Sequence, residues 1–125
     1  MQGLLCHVSL GVDDLEAAGR FYDAFLGAIG AKRIYAFDAA IAWGRQWPEF
    51  WVSRPIDGAP AGAGNGTHVA FMCESPEQVR AAYDAGIAAG GHDDGAPGPR
   101  TEYGEGYYAA FLRDPFGNKV EVHSL

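Results

Sequence analysis

The sequence predicts an α+β fold of two tandem β-α-β-β-β modules, and three observations carry that prediction. First, the chain repeats itself. Slid by 61 residues without a gap, His7-Val8 falls on His68-Val69, Glu16 on Glu77, Tyr22-Asp23-Ala24 on Tyr83-Asp84-Ala85, Ala28 on Ala89 and Gly30 on Gly91. A fixed offset of this kind marks a repeated supersecondary unit. Second, each half opens with a period-two stretch, LCHVSLGV and THVAFMC, that turns into a helical pattern with its own N-cap. Third, PIDGAPAGAGNG, from Pro55 to Gly66, is too rich in Gly, Ala and Pro to be an element and reads as a linker. Module 1 then covers about 4–55, the linker about 55–66 and module 2 about 66–125, within a single domain of 1–125.

The elements follow in order. A strand near 4–11 leads to a helix near 14–27, where Asp13 or Asp14 can cap and Leu15, Ala18, Phe21, Tyr22, Phe25 and Ile29 recur at three- and four-residue spacing. RIYAF, AIAWG and FWVS then read as strands. In module 2 a strand near 67–73 precedes a helix near 75–90, with Ser75 as cap, Pro76 at the first helical position and Gln78 closing a capping box. YYAAFL and KVEVHS are its strands, joined by the turn DPFGN at 114–118. GAPGPRTEYGEG, between the helix and YYAAFL, reads as a loop long enough to act as a lid.

Composition narrows the function classes. At 125 residues, 48% hydrophobic and 20% charged, the chain can bury a core. A net charge of -7 without any Lys/Arg cluster makes nucleic acid and anionic membranes poor partners. MQGLLCHVSL has no basic segment leading into a long apolar run, so a cytoplasmic protein is expected. Cys6 and Cys73 lie far apart with no CxxC spacing and read as reduced core residues.

Strand parity sorts the polar residues. Cys6, Val8, Leu10 and Val12 share one face of the first strand, with His7, Ser9 and Gly11 opposite. Val69, Phe71 and Cys73 oppose His68, Ala70 and Met72, and in the last strand Val120 and Val122 oppose Lys119, Glu121 and His123. With the apolar faces packed on the helices, His7, His68 and Glu121 are left on the open side. A lone strand His is ordinarily a hydrogen-bonded structural residue. Two at equivalent repeat positions, with a Glu, match instead the two-imidazole, one-carboxylate set that holds a divalent ion: Fe, Mn, Ni or Zn.

HVSLGVDDLEAAGRFYDAFLGAIG, GTHVAFMCESPEQVRAAYDAGIAAGG and GYYAAFLRDPFGNKVEV together resemble the vicinal oxygen chelate superfamily, the glyoxalase / bleomycin resistance / dioxygenase group, over nearly the whole chain. The resemblance implies a cupped mixed sheet around one divalent metal ion. The superfamily's ligand positions on the first, fifth and eighth strands match His7, His68 and Glu121. It implies a small-molecule substrate and a homodimer, in which His7 of one chain could complete a site with His68 and Glu121 of the other. Glyoxalase I enzymes add a fourth ligand on the fourth strand; there this chain has Trp51, with Glu49 two residues away on the same face. His7-x-Ser9 resembles the fosfomycin-modifying thiol transferases, but the Arg that those enzymes carry beyond the last ligand strand has no counterpart up to Leu125.

Glu121, Ser9 and His123 are therefore the candidate catalytic residues. Trp51, Tyr108 and Arg100 are candidates for binding substrate, against the plainer reading of aromatic packing and a solvated loop Arg. The expected function is metal-dependent chemistry on a small oxygenated substrate, glyoxalase-like lyase or isomerase ahead of dioxygenase. The rival is a metal-free drug- or metabolite-binding protein of the bleomycin-resistance type.

Overall fold

The computed structural model describes residues 3–125; the first two residues of the expected 1–125 domain lie outside it. The chain runs β1 Val8–Gly11, α1 Leu15–Gly27, β2 Lys32–Ala36, β3 Ala40–Gly44, β4 Phe50–Ser53, β5 His68–Met72, α2 Pro76–Ala88, β6 His92–Pro99, β7 Tyr108–Arg113 and β8 Lys119–Ser124, with a short 3-10 turn at Thr101–Tyr103. The strands form two 4-stranded sheets, ordered β1-β4-β3-β2 and β5-β8-β7-β6. In each, the first strand runs parallel to the last and the other pairs are antiparallel. This is the doubled β-α-β-β-β plan that the repeat predicts, and both sheets are mixed.

Both helix starts rest on side-chain caps. Asp14 accepts from the Glu16 and Ala17 amides at 3.0 and 3.2 Å, while Asp13 turns away to accept from Ala61 N in the linker at 2.7 Å. Ser75 accepts from Gln78 N at 3.2 Å, and Gln78 reaches back to Glu74 N at 2.9 Å, one residue before the cap.

The helices bury very different faces. On α1, Phe21, Tyr22, Phe25 and Leu26 are buried, packed in one core with Trp43, Phe50 and Val52 and with Phe71 and Leu112 of module 2. On α2 the buried residues are Val79, Ala82 and Gly86. Gly86 stands where the repeat has Phe25. A Cβ there would lie 2.8 Å from Leu112 Cδ2 and 3.1 Å from Phe25 Cδ1, so Phe25 fills the notch that the missing side chain leaves.

A polar latch ties the modules. Asp114, with no exposed surface, accepts from the Tyr22 hydroxyl at 2.7 Å, Asn118 Nδ2 at 2.9 Å and the Phe116 and Asn118 amides at 2.8 and 3.0 Å. Asn118 Nδ2 also donates to Gly11 O in β1 at 3.0 Å. The DPFGN turn, with Gly117 at φ +89, is thereby fixed to module 1. Burial, then the Asp114 charge and hydrogen bond, holds the Tyr22 phenol well above its ordinary value.

Three expectations are corrected. The strand near 4–11 narrows to Val8–Gly11. Residues Gly95–Pro99 of the expected lid belong to β6, an edge strand whose register shifts twice against β7; an outer edge accommodates Pro97 and Pro99 where a central strand would not. Cys6 is exposed and Cys73 half-buried, both as free thiols, because Cys6 precedes β1 and Cys73 follows the edge strand β5. Burial pushes the Cys73 thiol up to about 11. No helix among the described residues is long and apolar enough to cross a membrane.

Candidate metal centre

Two of the three expected ligands meet on the open face of module 2. β5 and β8 pair in parallel with Ala70 beside Glu121, which puts His68 diagonally next to the carboxylate. His68 Nε2 lies 3.3 Å from Glu121 Oε1, with 45% of the His68 side chain exposed against 5% for Glu121. A carboxylate so buried needs partners. The second is Tyr107, whose hydroxyl donates to Glu121 Oε2 at 2.5 Å. Burial, and then this hydrogen bond, push the Tyr107 phenol up to about 12. The Tyr107 ring stacks on His123 with centroids 4.5 Å apart and planes 6° from parallel, and the buried His123 Nδ1 has no hydrogen-bond partner among the described residues.

The rest of that face is charged and aromatic. Phe111 sits beside Glu121 in the β7–β8 register. Lys119 Nζ and the Arg100 guanidinium lie over its ring at 5.2 and 5.6 Å. Arg100 is already engaged, donating to Gly98 O at 2.9 Å and Ala96 O at 2.8 Å. Arg113 and Lys119 share Asp94 at 3.0 and 3.6 Å.

His7, the third expected ligand, belongs to module 1, where it is exposed and immediately precedes β1 rather than lying on it. Its ring is 6.1 Å from Trp51 and its Nδ1 is 3.4 Å from Cys6 Sγ. Ser9 stands opposite Trp51 in the β1–β4 register, its Oγ 3.4 Å from Ser53 Oγ. Tyr35, Phe37 and Trp51 form a wall with centroids 5.6 to 6.4 Å apart and planes within 23° of parallel. Beside His7 opens a cleft of about 340 Å3, floored by Leu26, Ile29, Trp43, Phe50 and Phe71, with Arg45 and Glu49 also lining it. Arg45 spans the modules there, donating to Ile29 O at 2.7 Å and Met72 O at 3.2 Å.

The expected residues thus divide between two faces. His68, Glu121, His123 and Arg100 gather on module 2, while His7, Ser9 and Trp51 gather on module 1. Tyr108 joins neither: it turns to the helix side, where Arg80 of α2 donates to its hydroxyl at 3.1 Å. Tyr107 takes its place beside Glu121. The signal was present in YYAAFL, since Ala110 and Leu112 pack on the helix and put Tyr108 with them and Tyr107 with Phe111. Tyr35 and Phe37 were missed because RIYAF has no clean alternation; the β2–β3 register shifts between Arg33 and Tyr35. Among the described residues no group of three His, Cys, Asp or Glu side chains converges. An imidazole nitrogen and a carboxylate oxygen do converge, and their chemistry fits a divalent ion that takes its third ligand from elsewhere.

Comparison with known proteins establishes the family and the fold. The Glyoxalase/Bleomycin resistance protein/Dioxygenase superfamily matches residues 4–122, and the chain belongs to it. It is similar to a glyoxalase/bleomycin resistance protein from Albidiferax ferrireducens T118, with 38% identity, a TM-score of 0.89 and coverage of 98% of this chain and 99% of that one. The uncharacterised protein YqjT of Bacillus subtilis (strain 168) is 31% identical over 93% of this chain and 94% of its own length. The lactoylglutathione lyase of Agrobacterium tumefaciens shares the fold at a TM-score of 0.68 and 21% identity, over 98% and 94% of the two chains.

Proposed function

We propose that the protein is a metal-dependent enzyme acting on a small oxygenated molecule, by lyase or isomerase chemistry ahead of dioxygenation, and that it works as a homodimer. The observation that carries the reading is the His68–Glu121 pair, 3.3 Å apart on two parallel-paired strands, with Glu121 oriented by Tyr107. His68 and Glu121 of one chain would hold the ion together with His7 of a second copy. β1 and β5 each have one unpaired edge, and the exposed Leu4, Leu5 and Met72 lie near these edges. A second chain related by two-fold symmetry would cover both edges and bring each aromatic wall to a polar face.

When bound, the ion would supply Lewis-acid polarisation of a substrate oxygen. The chain's own groups would do the rest. Trp51, with Tyr35 and Phe37, forms an aromatic wall for the apolar part of the substrate. The Ser9 hydroxyl can donate to a substrate oxygen, and the His123 imidazole can take or give a proton.

Mixing two variants tests the shared site. His7→Ala and His68→Ala should each lose Mn(II) binding as pure proteins. Dissociated and reassembled together, they should regain about a quarter of the wild-type sites, since half the dimers are mixed and each of those has one intact site. No recovery, with wild type binding normally, would place the site within one chain. A second reading rests on the aromatic wall alone: a metal-free binder of planar molecules. Wild type that takes up no divalent ion, yet quenches its Trp fluorescence with aromatic ligands, would favour it.

A further inference from the structure

The geometry assigns Tyr107 a positioning role: its hydroxyl holds Glu121 Oε2 out of the coordination sphere, so that Glu121 meets a metal ion through Oε1 alone. The inference rests on the metal reading above and adds to it the denticity of the carboxylate. Glu121's two oxygens already have different neighbours, the Tyr107 hydroxyl at 2.5 Å for Oε2 and His68 Nε2 at 3.3 Å for Oε1. An ion seated beside His68 therefore faces the one oxygen that no protein hydroxyl occupies.

Tyr107 is itself held firmly enough to impose that choice. Its carbonyl accepts from Arg100 N at 2.7 Å and its amide donates to Gly104 O at 3.2 Å, closing the loop onto the residue. The ring lies parallel on His123 at 4.5 Å and meets Tyr103 edge-on at 5.5 Å. Swinging the hydroxyl away would break the stack on His123 and strand a carboxylate oxygen in a side chain only 5% exposed. A phenol is also a suitable partner by elimination: it donates without carrying a positive charge, so it fixes the carboxylate without competing with a cation for its charge.

The competing explanation is that Tyr107 merely packs on His123, and Tyr107→Phe separates the two because it keeps the ring and removes only the hydroxyl. Mn(II) titration followed by the signal of the free ion should show binding weakened by about tenfold or more, the range in which outer-shell partners act. The visible spectrum of the Co(II)-loaded protein should change as Oε2 becomes free to coordinate, a change that loss of packing alone would not produce. Wild type offers a measurement independent of any variant. With isotope-labelled Glu, the infrared carboxylate bands on Mn(II) loading should show the wide splitting of one-oxygen coordination. Tyr107→Phe with unchanged Mn(II) affinity and an unchanged Co(II) spectrum, or a narrow two-oxygen splitting in wild type, would overturn the inference and leave the metal reading standing. Wild type that binds neither ion overturns both.

Discussion

Position 51 of module 1 and position 121 of module 2 occupy the same place in the repeated plan, opposite Ser9 and Ala70 in registers that match strand for strand, yet one is Trp and the other Glu. The same holds at positions 25 and 86, where one helix carries Phe and the other Gly, and the two touch. What recurs is the backbone: strand order, parallel pairing and cap position. What differs is the task of each face. Module 1 supplies most of the shared core and an aromatic open face, and module 2 supplies the carboxylate and the cationic groups. A doubled scaffold can carry different chemistry on its two open faces because the sheet fixes where side chains point and leaves their chemistry open.

The sharpest way to break this comparison is at the helix contact. Phe25→Ala should cost about 3–5 kcal/mol, since the ring is fully buried and the Gly86 backbone opposite has no side chain with which to refill the space. Chemical denaturation measures it, and a loss under about 1 kcal/mol would mean that the notch collapses.

Tyr22 and Tyr83 are the same residue in the repeat, and each donates to an Asp, at 2.7 Å to Asp114 and 2.9 Å to Asp93. Burial separates them. Tyr22→Phe should lose about 2 kcal/mol, the worth of a buried bond to a charged acceptor, while Tyr83→Phe should leave the unfolding midpoint where it is. The folded state also holds the Tyr22 proton more tightly than the unfolded chain does. Its contribution is therefore complete below the unfolded value near pH 10 and declines as pH rises above it. Tyr22→Phe should show a shallower alkaline loss of stability than wild type.

Repeat symmetry and strand parity made the fold legible from sequence: both helices, both caps and seven of the eight strands were marked by residues that behave as their types dictate. β6 was not, because HDDGAPGP carries no apolar face, and its pairing comes from the edge of a sheet that β7 and β8 already define. At the site, His68 and Glu121 were legible from parity alone. The face of Tyr107 was legible in the same way from YYAAFL, but its hydrogen bond to Glu121 was not, because Tyr107 precedes β7 and is held by the loop closed by Arg100 and Gly104.

The smallest of the contrasts concerns the two thiols. Cys6 is exposed, whereas Cys73 is half-buried with its thiol pushed up to about 11. A thiol reagent at about pH 8 should label Cys6 at least about tenfold faster than Cys73. Cys6→Ser should abolish the fast phase and leave the slow one, and a fast phase surviving that change would show the half-buried Cys73 thiol to be reactive.

The latch between Tyr22 and Asp114 also sets an order of events during synthesis. Donor and acceptor are 92 residues apart in the chain, so at about 5–20 residues per second the helix bearing Tyr22 is made roughly five to twenty seconds before its acceptor exists. For nearly all of that interval Phe21 and Phe25 also lack Leu112, and for its first half Phe71 as well, their neighbours from module 2 in the shared core. The first module leaves the ribosome as a sticky half-product, and the last turn of the second is the piece that ends its exposure.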